Sequence, residues 1–255
     1  MQTGAITQYI DVAQLVLYAF WIFFACLIIY IRREDKREGY PLESERSAHI
    51  TVQGWPPIPE PKTFLTAHGG TVQKPDFIAD KRRVAAMPTE AWPGAPLSPT
   101  GNPMADGVGP AAWAEREDVP DLTFEGEIKI VPLRVAPDFG ISNFDVNPQG
   151  MAVVGGDGLV AGYISDVWVD RTEPQVRYYE IELKGGARRL VPGGFVRVDT
   201  LRRHLVVRSI LSTQFAGVPV TKHPDQITLL EEDKVSAYYG GGTLYAEPSR
   251  MEPLL

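Results

Sequence analysis

Cysteine is nearly absent from this sequence. Cys26 is the only one in 255 residues, which excludes an internal disulfide and a zinc site built from several thiolates. The four histidines, His49, His68, His204 and His223, lie far apart, and no HxxxH or HExxH pair occurs. The ligand spacing of a zinc hydrolase is therefore missing. No GxSxG element and no strand–GxGxxG–helix arrangement offers a nucleophile or a dinucleotide cradle. An excess of basic charge is missing too. The formal net charge is -7, so there is no overall cationic surface for nucleic acid, and no such partner is expected. The length suffices for one sizeable domain, or for a smaller one with extended segments.

Polar residues are scarce between Val12 and Ile31, where VAQLVLYAFWIFFACLIIYI contains only Gln14 as a clearly polar side chain. About twenty such residues cross a bilayer core of ~30 Å as a helix. A buried helix of a soluble domain would carry a polar stripe, and this one has almost none. The preceding flank has no Lys or Arg, whereas Arg32, Arg33, Lys36 and Arg37 follow the run. The positive-inside rule then puts residues 1–11 in the periplasm, the helix at 12–31 and the remainder in the cytoplasm. A cleaved signal peptide would need a basic n-region and a small-residue cleavage site, so an uncleaved anchor is expected. The helix contains no histidine to serve as a metal ligand and no intramembrane charge to conduct ions. It is expected to meet a partner bundle or lipid.

Regular periodicity is lacking from 32 to 120. WPPIPEPKTF, MPTEAWPGAPLSPTGNP and DGVGPAAW are dense in Pro and Gly. Trp55, Phe64, Phe77, Trp92 and Trp113 punctuate the stretch, and a disordered linker would not carry them. An extended, ordered segment docking on partner subunits is expected. From 121 to 255 short β-type runs appear at 128–135, 159–170, 176–183, 188–199 and 204–210. Gly156-Asp157-Gly158 and Lys184-Gly185-Gly186 suit hairpin turns. In 163–170, Tyr163, Ser165, Val167 and Val169 alternate with Ile164, Asp166, Trp168 and Asp170 across two faces. These features predict a single transmembrane α-helix plus a mainly-β domain, a small antiparallel barrel with a short C-terminal helix. Thr228 and Glu231 form a capping box that would start the helix, and Gly240-Gly241-Gly242 would stop it. On these residues alone the chain reads as a membrane-anchored β-barrel adaptor, with an anchored enzyme less well supported.

RREDKREGYPL (32–42), PKTF (61–64), HGG (68–70), PTGNPMADGVGPA (99–111), SDVWVDRTEPQVRY (165–178) and DQITLLEEDKVSAYYGGGTLYA (225–246) occur in this order. Together they resemble the H subunit of the purple-bacterial photosynthetic reaction centre over nearly the whole chain. Residues 145–245 also resemble a PRC-barrel. The resemblance implies a non-pigment-binding subunit of the photosynthetic inner membrane that caps the L and M subunits and stabilises the complex. It implies, too, a contribution to proton transfer to the secondary quinone. Bacteriochlorophyll, bacteriopheophytin, quinones and non-haem iron would be held by L and M and not by this chain. Core-antenna ring polypeptides are implied as neighbours, and a cytochrome subunit is allowed. A PRC-barrel adaptor of a non-photosynthetic assembly remains the alternative.

The resemblance also assigns residues. Glu173, in the hairpin turn, would be a relay carboxylate or an electrostatic tuner near the secondary quinone. Asp170 would stand beside it, with Arg177 holding the acids ionised. Glu125 and Glu127 occupy the positions of a histidine pair at the family's proton entrance, and Thr123 falls where an aspartate would be. The exchange removes the imidazoles that would bind a transition metal. Lys129 matches a family lysine that neutralises the local field. A solvated, charged turn is the plainer reading of both clusters taken without the resemblance. Arg32, Arg33, Lys36, Arg37 and Tyr40, beside the helix end, are expected to meet anionic lipid headgroups.

Overall fold

The computed structural model describes residues 11–44, 47–66, 69–78, 81–92, 94–173 and 175–251. The expected periplasmic N-terminus, apart from Asp11, lies outside the described residues, as does His68 of the HGG motif. The chain divides into two compact units, Met1–Lys81 and Arg82–Leu255.

In the first unit, helix α1 spans Val12–Glu34. Asp11 caps it, its Oδ1 accepting the Gln14 amide at 2.7 Å. Its 23 residues extend roughly 35 Å at ~1.5 Å each, and none of its side chains is buried. It is long and apolar enough to cross a membrane once. Two hairpins follow: β1 (Leu42–Ser44) with β2 (Ser47–Val52), and β3 (Lys62–Leu65) with β4 (Thr71–Lys74). Arg37 holds the base of the second. Its Nη1 donates to the carbonyls of Glu60 at 2.8 Å and Lys74 at 3.0 Å, just outside β3 and at the end of β4.

The second unit opens with a hairpin of β5 (Ala86–Pro88) and β6 (Leu97–Pro99) and a one-turn helix α2 (Pro103–Asp106). Seven strands then form the main sheet: β7 (Ile130–Pro132), β8 (Ala152–Val154), β9 (Val160–Asp170), β10 (Gln175–Leu183), β11 (Arg188–Pro192), β12 (Val196–Asp199) and β13 (His204–Val207). The order is β11-β10-β9-β8-β13-β12, with β7 also on β9. All pairs are antiparallel except β8–β13, which is parallel. The sheet path ends at β11 and β12 and does not close. The run expected as one strand over 188–199 is two, because a 3-10 turn at Gly193–Phe195 bends it at a corner.

Gly158 and the Gly185–Gly186 pair have positive φ in the β8–β9 and β10–β11 turns, which explains glycine there. The expected alternation along β9 gives way at its end, where Asp166 through Asp170 are all buried. Trp168, Ile181, Val191, Leu205 and Phe215 pack in the main core. Val169 faces a second cluster with Val131 and Ala136, so this part of the sheet is covered on both faces.

Helix α3 spans Leu229–Tyr245. It starts at the expected capping box, with the Thr228 Oγ1 accepting the Glu231 amide at 3.1 Å and the Glu231 Oε2 accepting the Thr228 amide at 2.9 Å. It does not stop at Gly240–Gly242 but runs through them. A Cβ on Gly240 would lie 2.9 Å from the Pro110 carbonyl oxygen, and one on Gly241 would lie 2.5 Å from the Ala111 Cβ. On Gly242 it would lie 2.5 Å from the Ser209 carbonyl oxygen. The glycines let two segments, 110–111 and 209–210, pack close against adjacent sides of α3. The last part of the Pro-rich segment, expected on partner subunits, thus finds α3 of its own unit. Ala111 is 1% exposed, and Met104 of α2 joins the main core.

Gly242→Ala is therefore expected to destabilise. Ala gains roughly 1 kcal/mol of helix propensity, but overpacking against fixed backbone costs about 1–3 kcal/mol. The prediction is a lower denaturation midpoint, measured by urea unfolding followed by tryptophan fluorescence. A higher midpoint would mean that the Ser209–Ile210 segment yields easily.

Candidate functional site

Strand pairing assembles the site. β7 runs beside β9 with Ile130 opposite Asp170, and the Arg171 amide donates to the Lys129 carbonyl at 2.9 Å. This register brings Lys129 to the end of β9, where its Nζ lies 3.9 Å from Asp170 Oδ2 and 3.1 Å from Asp121 Oδ2. Asp170 is 3% exposed. Its Oδ1 accepts the Thr172 hydroxyl at 2.6 Å, the Thr172 amide at 2.9 Å and the Glu173 amide at 3.3 Å. One carboxylate oxygen thus shapes the turn while the other faces a cation.

Burial alone would raise the Asp170 pKa. The Thr172 hydroxyl, the two turn amides and Lys129 overcome it and hold the carboxyl below the usual aspartate range. The Lys129 ammonium is raised by the Asp121 hydrogen bond and by the charges of Asp121 and Asp170, against burial and Arg177. Asp170 is thus a fixed charge at neutral pH. Glu173 is exposed at the turn, where its Oε2 accepts the Gln175 side-chain amide at 3.1 Å.

The resemblance gives Arg177 the task of holding Asp170 and Glu173 ionised. The cation beside Asp170 is instead Lys129. A bulge interrupts the β9–β10 register between Val176 and Tyr178, and such an extra residue re-aims its side chain. Arg177 Nη2 reaches Glu232 Oε2 on α3 at 3.7 Å, and the Tyr178 hydroxyl donates to the same oxygen at 2.8 Å. Arg116, Asp121, Lys129, Arg177, Tyr178 and Glu232 line a cleft of about 270 Å³. Sequence reasoning missed Asp121, Tyr178 and Glu232. The available signal was the capping box, which fixes the start of α3 and so the direction of Glu232.

Burial pushes the Glu232 carboxyl up and Asp121 adds to this, opposed by the Tyr178 hydroxyl and by Arg177 and Arg116. The two carboxyls therefore have opposite signs in linkage. Asp170, with its pKa depressed, contributes stability that is present above the ordinary aspartate range and lost as pH falls through its folded pKa. Glu232, with its pKa raised, costs stability as pH rises from its ordinary value of 4.5 through its folded pKa. Glu232→Gln is expected to abolish that decline. Urea midpoints of variant and parent, compared from about pH 4 to about pH 8, should diverge in the variant's favour as pH rises. Parallel curves would contradict this.

The structure splits the two carboxylates expected at the proton entrance. Glu127 accepts from Arg171 Nη1 at 2.9 Å and so joins the turn that carries Asp170 and Glu173. Glu125 is exposed in the 123–127 turn, beside Phe124 at its tip. The headgroup set also divides. Lys36 is 4% exposed, and its ammonium donates to the Gln53 and Pro56 carbonyls and lies 5.2 Å from the Tyr40 ring centroid. Arg37 is bound to both Glu34 oxygens at 2.8 Å besides its two carbonyls. These side chains brace the polypeptide behind the helix, because buried carbonyls there need donors. Arg32 and Arg33 remain exposed.

A second charged cluster lies across β9 and β10. Arg134 Nη1 bridges Asp166 at 3.0 Å and Glu180 at 2.9 Å, and its Nε meets Asp225 at 2.9 Å. Trp168 Nε1 and Arg188 Nη1 also donate to Glu180, at 3.1 and 3.2 Å. Every carboxylate oxygen of Asp166 and Glu180 has a donor, so the cluster is internally satisfied, although it lines a cleft of about 510 Å³.

Comparison with known families yields two matches. A model described as photosynthetic reaction centre, H-chain N-terminal region, matches residues 4–135. A PRC-barrel domain model matches residues 142–214, which cover β8 to β13.

Proposed function

Because the chain belongs to the photosynthetic reaction-centre H-chain family, matched over more than half its length, we propose that it caps the L and M subunits on the cytoplasmic side and delivers protons toward the secondary quinone. The family is a structural subunit that associates with L and M, and α1 makes this member a single-pass membrane protein. The basic flank after α1 supports a periplasmic N-terminus and a cytoplasmic second unit. The absence of histidine from α1 supports leaving the pigments to L and M, and the quinones and non-haem iron are assigned to those subunits in the same reading. The quinone, when reduced, takes up protons; the residues of this chain hold them and pass them on.

One observation carries the proton-transfer reading. Glu173 is an exposed carboxyl hydrogen-bonded through its own amide to Asp170, which is buried, ionised and faced by Lys129. Such an arrangement separates the roles. Glu173 is the exposed carboxyl on the route, while the Asp170–Lys129 pair sets the field around it. Glu173→Gln keeps the shape and removes the carboxyl. It is expected to slow proton-coupled reduction of the secondary quinone after a second flash about 100-fold. Unchanged second-flash kinetics would remove Glu173 from the route.

A further inference from the structure

The sequence is acidic overall, yet Lys184, Arg188, Arg189, Arg197, Arg202, Arg203 and Arg208 follow one another with Asp199 as the only acid between them. The β12–β13 hairpin carries the centre of this run. Val196 and Val198 pair with the buried Val207 and Leu205, so Arg197 projects from the opposite, outer face. Arg197, Arg202, Arg203 and Arg208 are all exposed. Leu201, at the tip of the turn, is 95% exposed. The single acid is turned to internal use. Asp199 Oδ1 accepts the Arg202 amide at 2.9 Å, and its other oxygen lies 3.8 Å from His204 Nε2.

An apolar tip followed directly by Arg202 and Arg203, with Arg197 on the outer face of β12 and the one carboxylate committed to the turn, matches the chemistry of an anionic bilayer interface. The leucine enters the acyl boundary while the guanidiniums stay at the phosphates. We propose that the β12–β13 hairpin is a second membrane contact of this chain, docking on anionic phospholipid headgroups. The inference rests on the single span of α1, which keeps the second unit tethered to a bilayer, and not on the proton route. Arginine suits the role because its fork binds phosphate oxygens in pairs.

The test uses the full chain carrying Cys26→Ser and Leu201→Cys, labelled with a polarity-sensitive fluorophore and reconstituted in nanodiscs. Discs of phosphatidylcholine are compared with discs containing phosphatidylglycerol. A blue shift confined to the anionic discs and reversed by salt near ~0.5 M is expected, because screening then acts within a few ångströms. Arg202→Gln with Arg203→Gln should lower the ratio of docked to undocked hairpin on the order of 25-fold, at about fivefold per arginine. Arg197→Gln, on the outer face of β12, supplies an independent variant with a smaller loss. A label that stays in water in both discs overturns the proposal. So does a shift that is equal in both discs and indifferent to salt, which would signify a protein contact.

Discussion

Arg134→Met is expected to lower the stability of the second unit by about 3–5 kcal/mol, the cost of breaking a buried ion pair from one side. Methionine keeps the aliphatic stem, so the loss isolates the charge. Arg134 is the shared donor of Asp166 and Glu180, whose side chains are 7% and 5% exposed. It also donates to Asp225 and to the Pro224 carbonyl. Without its guanidinium, Glu180 retains Arg188, Trp168 and the Ser165 hydroxyl. Asp166 retains only neutral amides: the Gln149 side chain and the backbone of residue 134, both at 3.3 Å, and the Val167 backbone at 2.8 Å. The damage therefore centres on Asp166, and adding Asp166→Asn should return part of the loss. Urea unfolding followed by Trp168 fluorescence measures both. A loss below about 1 kcal/mol would mean that water already screens the cluster as at a surface pair.

The double variant Asp170→Asn with Glu173→Gln is expected to slow proton-coupled reduction of the secondary quinone about 100-fold, within the usual span for a positioned proton donor. The first electron needs no proton and should arrive at an unchanged rate. The substituted asparagine keeps an acceptor for the Thr172 and Glu173 amides, so the turn survives. It leaves Lys129 with Asp121 as its remaining carboxylate partner, and the loss of one negative charge shifts the field against cations and toward anions. Because both residues act on one proton, their effects should not multiply. The double variant should be little slower than the worse single one. Multiplicative losses would describe two independent routes.

What could be read from the sequence was local. Turns at Gly158 and Gly185–Gly186 follow from backbone freedom, the start of α3 follows from Thr228 and Glu231, and α1 follows from its apolar run. Asp170, Glu173 and Lys129 are reached through a resemblance and are brought together by the β7–β9 register. What stayed hidden depends on distant chain. Gly240–Gly242 reads as a helix stop because nothing nearby in sequence announces Pro110, Ala111 and Ser209 packed against them. Arg134 meets Asp166 and Glu180 only after three strands are in place. Lys36 reads as a headgroup ligand until the carbonyls of Gln53 and Pro56 fold over it. Arg177 matches a partner of Asp170 in the linear motif, and a bulge turns it to Glu232.

Membership of a working photochemical complex is open to direct test. The most direct test is to tag the C-terminus, solubilise native membranes gently and record the near-infrared spectrum of the co-purified material. Bacteriochlorophyll and bacteriopheophytin bands that bleach reversibly in light are expected. A colourless preparation with unrelated partners would contradict it.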